Sequence, residues 1–229
     1  MESNKEYSPS WLDRPILSTL PQIHIETILV AVILILAVFS RFYNLGARVM
    51  SHDEVNHVVP SFDLYEGRGY RHDPVTHGPL QFHLVALSYF ILGDSDFSSR
   101  VPAALFSVAA VAFVLFAFRR YLGRTGALIA GALFLISPFM LFYGRYTRNE
   151  AFIELLGVVM IYATLHYLEQ GDQRSLYLLT TSLALHFTVK ETSFIYSAQL
   201  LLFIGLLLAL QIIQMHWPVE TNRKRFFAL

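Results

Sequence analysis

The sequence predicts an all-α fold: a polytopic transmembrane helical bundle of about six spans, with interfacial helices in the first outer loop. Three observations lead there. Apolar residues make up 55% of the chain and mean hydropathy is +0.48. Uncharged runs long enough for a membrane helix recur along it. Charged residues amount to only 15% and gather between those runs. The formal net charge is zero, which implies no general attraction to nucleic acid. The chain has no cysteine, which excludes disulfides, thiol catalysis and thiolate metal sites.

Residues 1–21 are polar, contain Pro9, Pro15 and Pro21, lack the pattern of a cleavable signal, and read as a cytoplasmic tail. The transmembrane, catalytic-type domain is expected over residues 22–217. Its first span runs from Gln22 to Tyr43, and Ile28–Phe39 within it is wholly apolar. After the long loop 44–97 come Val101–Phe118, Thr125–Gly144, Ala151–Leu168, Ser175–Val189 and Thr192–Trp217. Residues 218–229 read as a second cytoplasmic tail, or as the start of a missing C-terminal half. Within the loop, Pro79–Leu92 is too short to span and is expected to lie at the interface. Val55–Tyr65 is a second interfacial candidate, with Pro60 against it. Alternation puts Lys5, Arg14, Arg119, Arg120, Arg124, Arg174, Arg223, Lys224 and Arg225 on one side, and the positive-inside rule makes that side cytoplasmic. The loop then faces the non-cytoplasmic side of a cell membrane.

That loop concentrates the chemistry. Ser51–His83 carries adjacent Asp53 and Glu54, five of the nine histidines, and Arg68, Arg71 and Asp73. Adjacent side chains on a helix do not face each other, so Asp53 and Glu54 are expected to do different jobs. One could take a proton from an acceptor hydroxyl while the other orients the loop or holds a metal. A solvated acidic pair at a helix start is the bland reading. His52, Asp53 and His57 are candidate ligands for a divalent metal, with His72, Asp73, His77 and His83 nearby. No fixed metal signature matches their spacing.

The outer side also collects Arg100, the Gly144–Glu150 turn and Lys190–Glu191. Arg100, Arg145, Arg148 and Lys190 could together bind a phosphate or pyrophosphate, with Arg supplying bidentate geometry and Lys a point charge. Glu150 and Glu154 are four apart and share a helical face. A carboxylate inside a span, such as Glu154, lines a cavity or pairs with a cation. The bland reading is that these charges neutralise one another, and that Lys190 snorkels to the interface.

Four patterns carry a family resemblance. They are Ser51-His52-Asp53-Glu54; His77-Gly78-Pro79-Leu80, where Gly78 departs from a proline; Asp96–Pro102 around Arg100; and Tyr143–Glu150 with Val189-Lys190. In order and spacing they resemble the GT-C type membrane glycosyltransferases of the protein O-mannosyltransferase and aminoarabinose transferase branch. The closest likeness is to a prokaryotic subgroup associated with lipid-linked sugar flipping. The resemblance implies inverting transfer of a sugar from a polyprenyl-phosphate donor to a hydroxyl on a protein, lipid or glycan acceptor at the outer membrane face. Asp53, Glu54 and Glu150 would be catalytic. His77, Arg100, Arg145, Arg148, Lys190 and Glu191 would bind substrate. Such enzymes usually have more spans, so this chain is expected to be a fragment or a catalytic half. The rival expectation is a transporter or flippase-associated protein for lipid-linked sugars, without catalysis.

Overall fold

The computed structural model describes residues 11–13, 24–71 and 76–214. They are helical almost throughout and fall into two compact units that divide between Lys190 and Glu191. The first unit holds α1 (Ile25–Phe42), α2 (His52–Tyr65), α3 (Pro79–Leu92), α4 (Asp96–Ala117), α5 (Arg119–Ile136), α6 (Pro138–Tyr143), α7 (Glu150–Gln170) and α8 (Gln173–Phe187). The second holds α9 (Ser193–Gln214). Among the described residues four helices, α1, α4, α7 and α9, are long and apolar enough to cross a membrane. The protein is an all-α membrane bundle, as its hydropathy predicts. Most of the two expected tails, and His72 and Asp73 of the loop, lie outside the described residues.

Two expected runs differ in detail. α8 has 15 residues and is short for a full span. The run 125–144 is not one helix but α5 and α6, broken at Ser137. Pro138 is the cause: it has no N–H to offer the Phe134 carbonyl, and it pushes Ser137 out of the helical region. The buried Arg41 guanidinium of α1 takes over, donating to Phe134 O at 3.0 Å and Leu135 O at 2.9 Å. An uncapped break in an apolar bundle would leave these carbonyls unsatisfied.

Around this tie Ile33 and Ala37 of α1 pack with Val111 and Leu115 of α4 and Leu128 and Leu135 of α5. A second apolar cluster joins Leu80 and Leu84 of α3, Phe106 of α4, Phe152 and Leu156 of α7, and Val189 after α8.

The long loop is more helical than its sequence suggests. α2 begins at His52, ahead of the expected Val55, and runs through Pro60 to Tyr65. Its start is set by a capping box: the Ser51 hydroxyl accepts from Glu54 N, and Glu54 accepts from Ser51 N. α3 forms where expected, with Pro79 at its first turn. It packs between α2, through Tyr89 against Phe62 and Tyr65, and α4, through Ser88 Oγ donating to Ser98 O at 2.6 Å.

The start of α3 is sewn to the end of α8. Gly78 N donates to Val189 O and Leu80 N to Thr188 O, both at 3.0 Å. A proline at 78 could not make the first bond. A Cβ on Gly78 would collide with the Thr188 carbonyl. Gly78→Ala is therefore expected to cost about 1–3 kcal/mol, seen as a lower Tm of the detergent-solubilised protein. Gly205→Ala, where an added Cβ meets nothing within 4 Å, should leave Tm unchanged.

Candidate functional site

The site grows from Glu54, which is fully buried. Its Oε1 accepts from Arg100 Nε at 2.7 Å and from Thr147 N at 3.2 Å. Its Oε2 accepts from Arg100 Nη2 at 3.0 Å and from Ser51 N at 3.1 Å. A carboxylate has about four acceptor positions, and all are filled. Burial alone would raise the pKa of Glu54. The Arg100 hydrogen bonds and the two backbone N–H groups outweigh it and hold the carboxyl below its ordinary value. Arg100 is equally engaged, since its Nη1 donates to Leu45 O and Arg48 O, both at 2.9 Å. Arg100, expected from the sequence to bind substrate, is buried, with four of its five N–H donors engaged by protein acceptors. Glu54 likewise has no free face for an acceptor, and its geometry is that of a positioning residue.

This clamp fixes three segments, namely the start of α2, the start of α4 and the turn 144–149. Thr147 Oγ1 also donates to Ser99 O at 3.2 Å, and the Ser51 hydroxyl touches the Tyr146 hydroxyl. Arg48 lies over the Tyr146 ring at 5.2 Å. With Glu54 turned inward, its neighbour Asp53 must point elsewhere. Asp53 is 56% exposed and meets Arg148 at 3.0 Å. Arg148 Nε lies 3.5 Å from Glu150, and Glu150 accepts from Lys190 Nζ at 2.9 Å. Asp53, Arg148, Glu150 and Lys190 thus form one chain of alternating charge, half-buried except at Asp53.

Two histidines border this chain. His57 of α2 is buried, faces the His77 ring at 6.5 Å between centroids, and stacks on Phe82 at 5.9 Å. His77 sits just before α3 at φ 68°, an uncommon backbone state for a non-glycine residue. Burial first, then the positive charge of Arg148, lowers the pKa of His57 to about 4.

Other expected residues fall elsewhere. Arg145 turns back to α1, donating to Ser40 O at 2.6 Å, where it caps carbonyls that the helix end leaves open. It does not join Arg148 and Lys190. Glu191 opens the second unit, where its carbonyl accepts from Phe194 N. Among the described residues no three His, Asp or Glu side chains gather at metal-ligand spacing. The expected metal set of His52, Asp53 and His57 does not come together in this arrangement. Helix geometry turns Asp53 to solvent and buries His57, so the three do not converge. Sequence reasoning missed Gln81 and Asn149. Both are buried polar residues whose amides have no hydrogen-bond partner among the described residues. The available signal was a glutamine within the apolar stretch of α3.

The family description dolichyl-phosphate-mannose-protein mannosyltransferase matches residues 76–219, well over half of the chain. The chain belongs to this family. It is a multi-pass membrane glycosyltransferase of the GT-C type. The match begins at Thr76, so the Ser51–Glu54 segment lies ahead of it, while Arg100, Thr147, Arg148, Glu150 and Lys190 lie inside. No curated protein is similar enough to stand as a relative.

His57 makes the fold pH-sensitive. Unfolded, it takes up a proton near 6.5; folded, only near 4. The stability it contributes is complete above 6.5 and is lost as pH falls toward 4. Tm should therefore fall across that window in the native protein. The fall should be smaller in His57→Gln, measured in the same detergent.

Proposed function

We propose that this transferase moves a sugar from a polyprenyl-phosphate donor to an acceptor hydroxyl on a protein, lipid or glycan. The observation that carries this reading is the alternating chain Asp53–Arg148–Glu150–Lys190, with an exposed carboxylate at one end and a cation at the other. Asp53 is the base. Its Oδ2 is oriented by Arg148, and the acceptor proton passes to the carboxylate. The freed acceptor oxygen attacks the anomeric carbon from the face opposite the phosphate. The carbon–oxygen bond to phosphate breaks, and the configuration inverts. The polyprenyl phosphate leaves with the electron pair, and Lys190 and Arg148 stabilise the added charge. Lys190 spends one of its three donors on Glu150 and retains the others. Glu150 holds both cations in place, and His77 lines the acceptor side.

Removing the base should act on the transition state more than on donor binding. Asp53→Asn is expected to abolish transfer while leaving polyprenyl-phosphate binding within about threefold of native. Lys190→Gln loses a charge-assisted contact of about 1.5–3 kcal/mol and should weaken donor binding roughly ten- to a hundredfold. Radiolabel transfer and direct lipid binding, measured on both variants, check the pair. Near-normal turnover in Asp53→Asn removes it as the base.

A carrier of lipid-linked sugars without catalysis is the competing reading. It is favoured by Glu154, whose carboxylate lies within α7 with no hydrogen-bond partner among the described residues. Labelled sugar that crosses a vesicle membrane still attached to its lipid, with no transfer, would support that reading.

The working face is the non-cytoplasmic side of a cell membrane, opposite Arg119, Arg120 and Arg124. Glu66, just after α2, is exposed. A Glu66→Cys variant should react with an impermeant thiol reagent added outside intact cells. Labelling only after lysis reverses the orientation.

A further inference from the structure

Beneath the charged chain lie three neutral polar side chains that the reaction scheme does not use. Gln81 is 0% exposed, Asn149 1% and His57 4%. Among the described residues, both amide atoms of Gln81, both of Asn149, and Nδ1 of His57 have no hydrogen-bond partner. Such groups are costly to bury unpaired. Five orphaned atoms beside one site therefore need a common explanation.

The contacts bring them to one level of the bundle. Gln81 shares a face of α3 with Ser88, and Ser88 binds Ser98 O of α4. α3 and α4 run in opposite directions through a short turn, so Gln81 lies about 10 Å further along α4 at ~1.5 Å per residue, near residues 102–105. Asn149 lies between two other contacts with α4, Thr147 on Ser99 and Phe152 on Phe106. That interval spans the same turn. α4 presents Ala103 and Ala104 there, both buried and small. His57 approaches from α2 and stacks on Phe82 in the first turn of α3.

We infer that Gln81, Asn149 and His57 form the cradle for the hydroxyl groups of the transferred sugar. Each amide offers a donor and an acceptor, as a ring hydroxyl requires. Asn149 stands between Arg148, which meets Asp53, and Glu150, which meets Lys190. Gln81 follows Leu80, whose N–H binds the Thr188 carbonyl close to Lys190. His57 lies within electrostatic reach of Arg148, Glu150 and Lys190, and Asn149 and Gln81 sit on the segments that carry those cations or are tied beside them. A phosphate on Lys190 and Arg148 would direct its sugar toward these three residues. Sites built to hydrogen-bond hydroxyls reject analogues that lack them, because their own polar groups are then left unpaired.

This inference rests on the polyprenyl-phosphate sugar reading, and the test separates the two. The full chain is purified and its affinity measured for two lipids, a polyprenyl phosphate and the same lipid bearing a hexose. Gln81→Leu and Asn149→Leu should each weaken the hexose-bearing lipid about three- to tenfold and leave the sugarless lipid unchanged. Equal loss for both lipids, or no loss for either, overturns the cradle. Native protein that binds neither lipid overturns the donor reading and the cradle with it. Deoxy-sugar donors bound by the native protein give a measurement that needs no variant to fold. At least one missing hydroxyl should weaken binding by a similar factor, and uniform affinity across the series overturns the cradle.

Discussion

The Glu54–Arg100 pair is the interaction on which the site depends. Two fully buried charges are expensive to remove from water, and such a pair is weak grounds for claiming net stability. Its value here is geometric. Four hydrogen bonds to Glu54 leave it one orientation, and those bonds come from the start of α2, from α4 and from the 144–149 turn. Removing either partner alone would strand a buried charge, at a cost of about 3–5 kcal/mol. The consequence for function is indirect: with Glu54 locked inward, Asp53 is turned outward beside Arg148. Adjacent acids with opposite fates follow from helix geometry and one buried partner.

The other half of the site is held by backbone. The carbonyls of Thr188 and Val189 accept from the first N–H groups of α3, which ties the segment before Lys190 to the segment after His77. Apolar packing of Leu80, Phe106, Phe152 and Val189 surrounds this seam. In a bundle whose exterior is apolar, greasy packing specifies little, because lipid offers similar contacts. Polar ties therefore set register. Arg41 at the α5–α6 break and Arg145 at the end of α1 serve the same purpose, each meeting carbonyls that a helix end releases.

This also explains what was legible in the sequence. Hydropathy reveals helices because burial in lipid leaves a long uncharged run, and the helical bundle could be read from that. The break at Pro138 was visible in principle, but the residue that repairs it, Arg41, lies far away in sequence. The charged residues were harder. Arg100, Arg145 and Arg148 look alike beside outer turns, yet one is buried on Glu54, one caps α1, and one reaches Asp53. Nothing local distinguishes them, because partners are chosen by the fold. The histidines show the same limit: His52 and His57 are close in sequence, but the helix turns one to solvent and the other inward. Gln81 could have been found, since a glutamine inside the apolar face of α3 violates the pattern around it.

The charge balance of the site bears on how a donor could arrive and leave. Asp53, Arg148, Glu150 and Lys190 sum to zero, so the protein alone carries no uncompensated charge at this spot. Glu150 binds both cations, and in doing so keeps them oriented without exhausting their donors. An incoming phosphate would compete with Glu150 for Lys190 rather than bind a bare cation, which limits its affinity. On the proposed reading, the bridging bond would break in the transition state and the phosphate oxygens would gain charge. Lys190 and Arg148 would then gain more from the phosphate than from Glu150. That differential would favour the transition state over the ground state, which is the condition for rate acceleration. Once the lipid phosphate had departed, Glu150 would reclaim the cations, so that a carboxylate placed between two cations would serve as a reusable stand-in for the ligand.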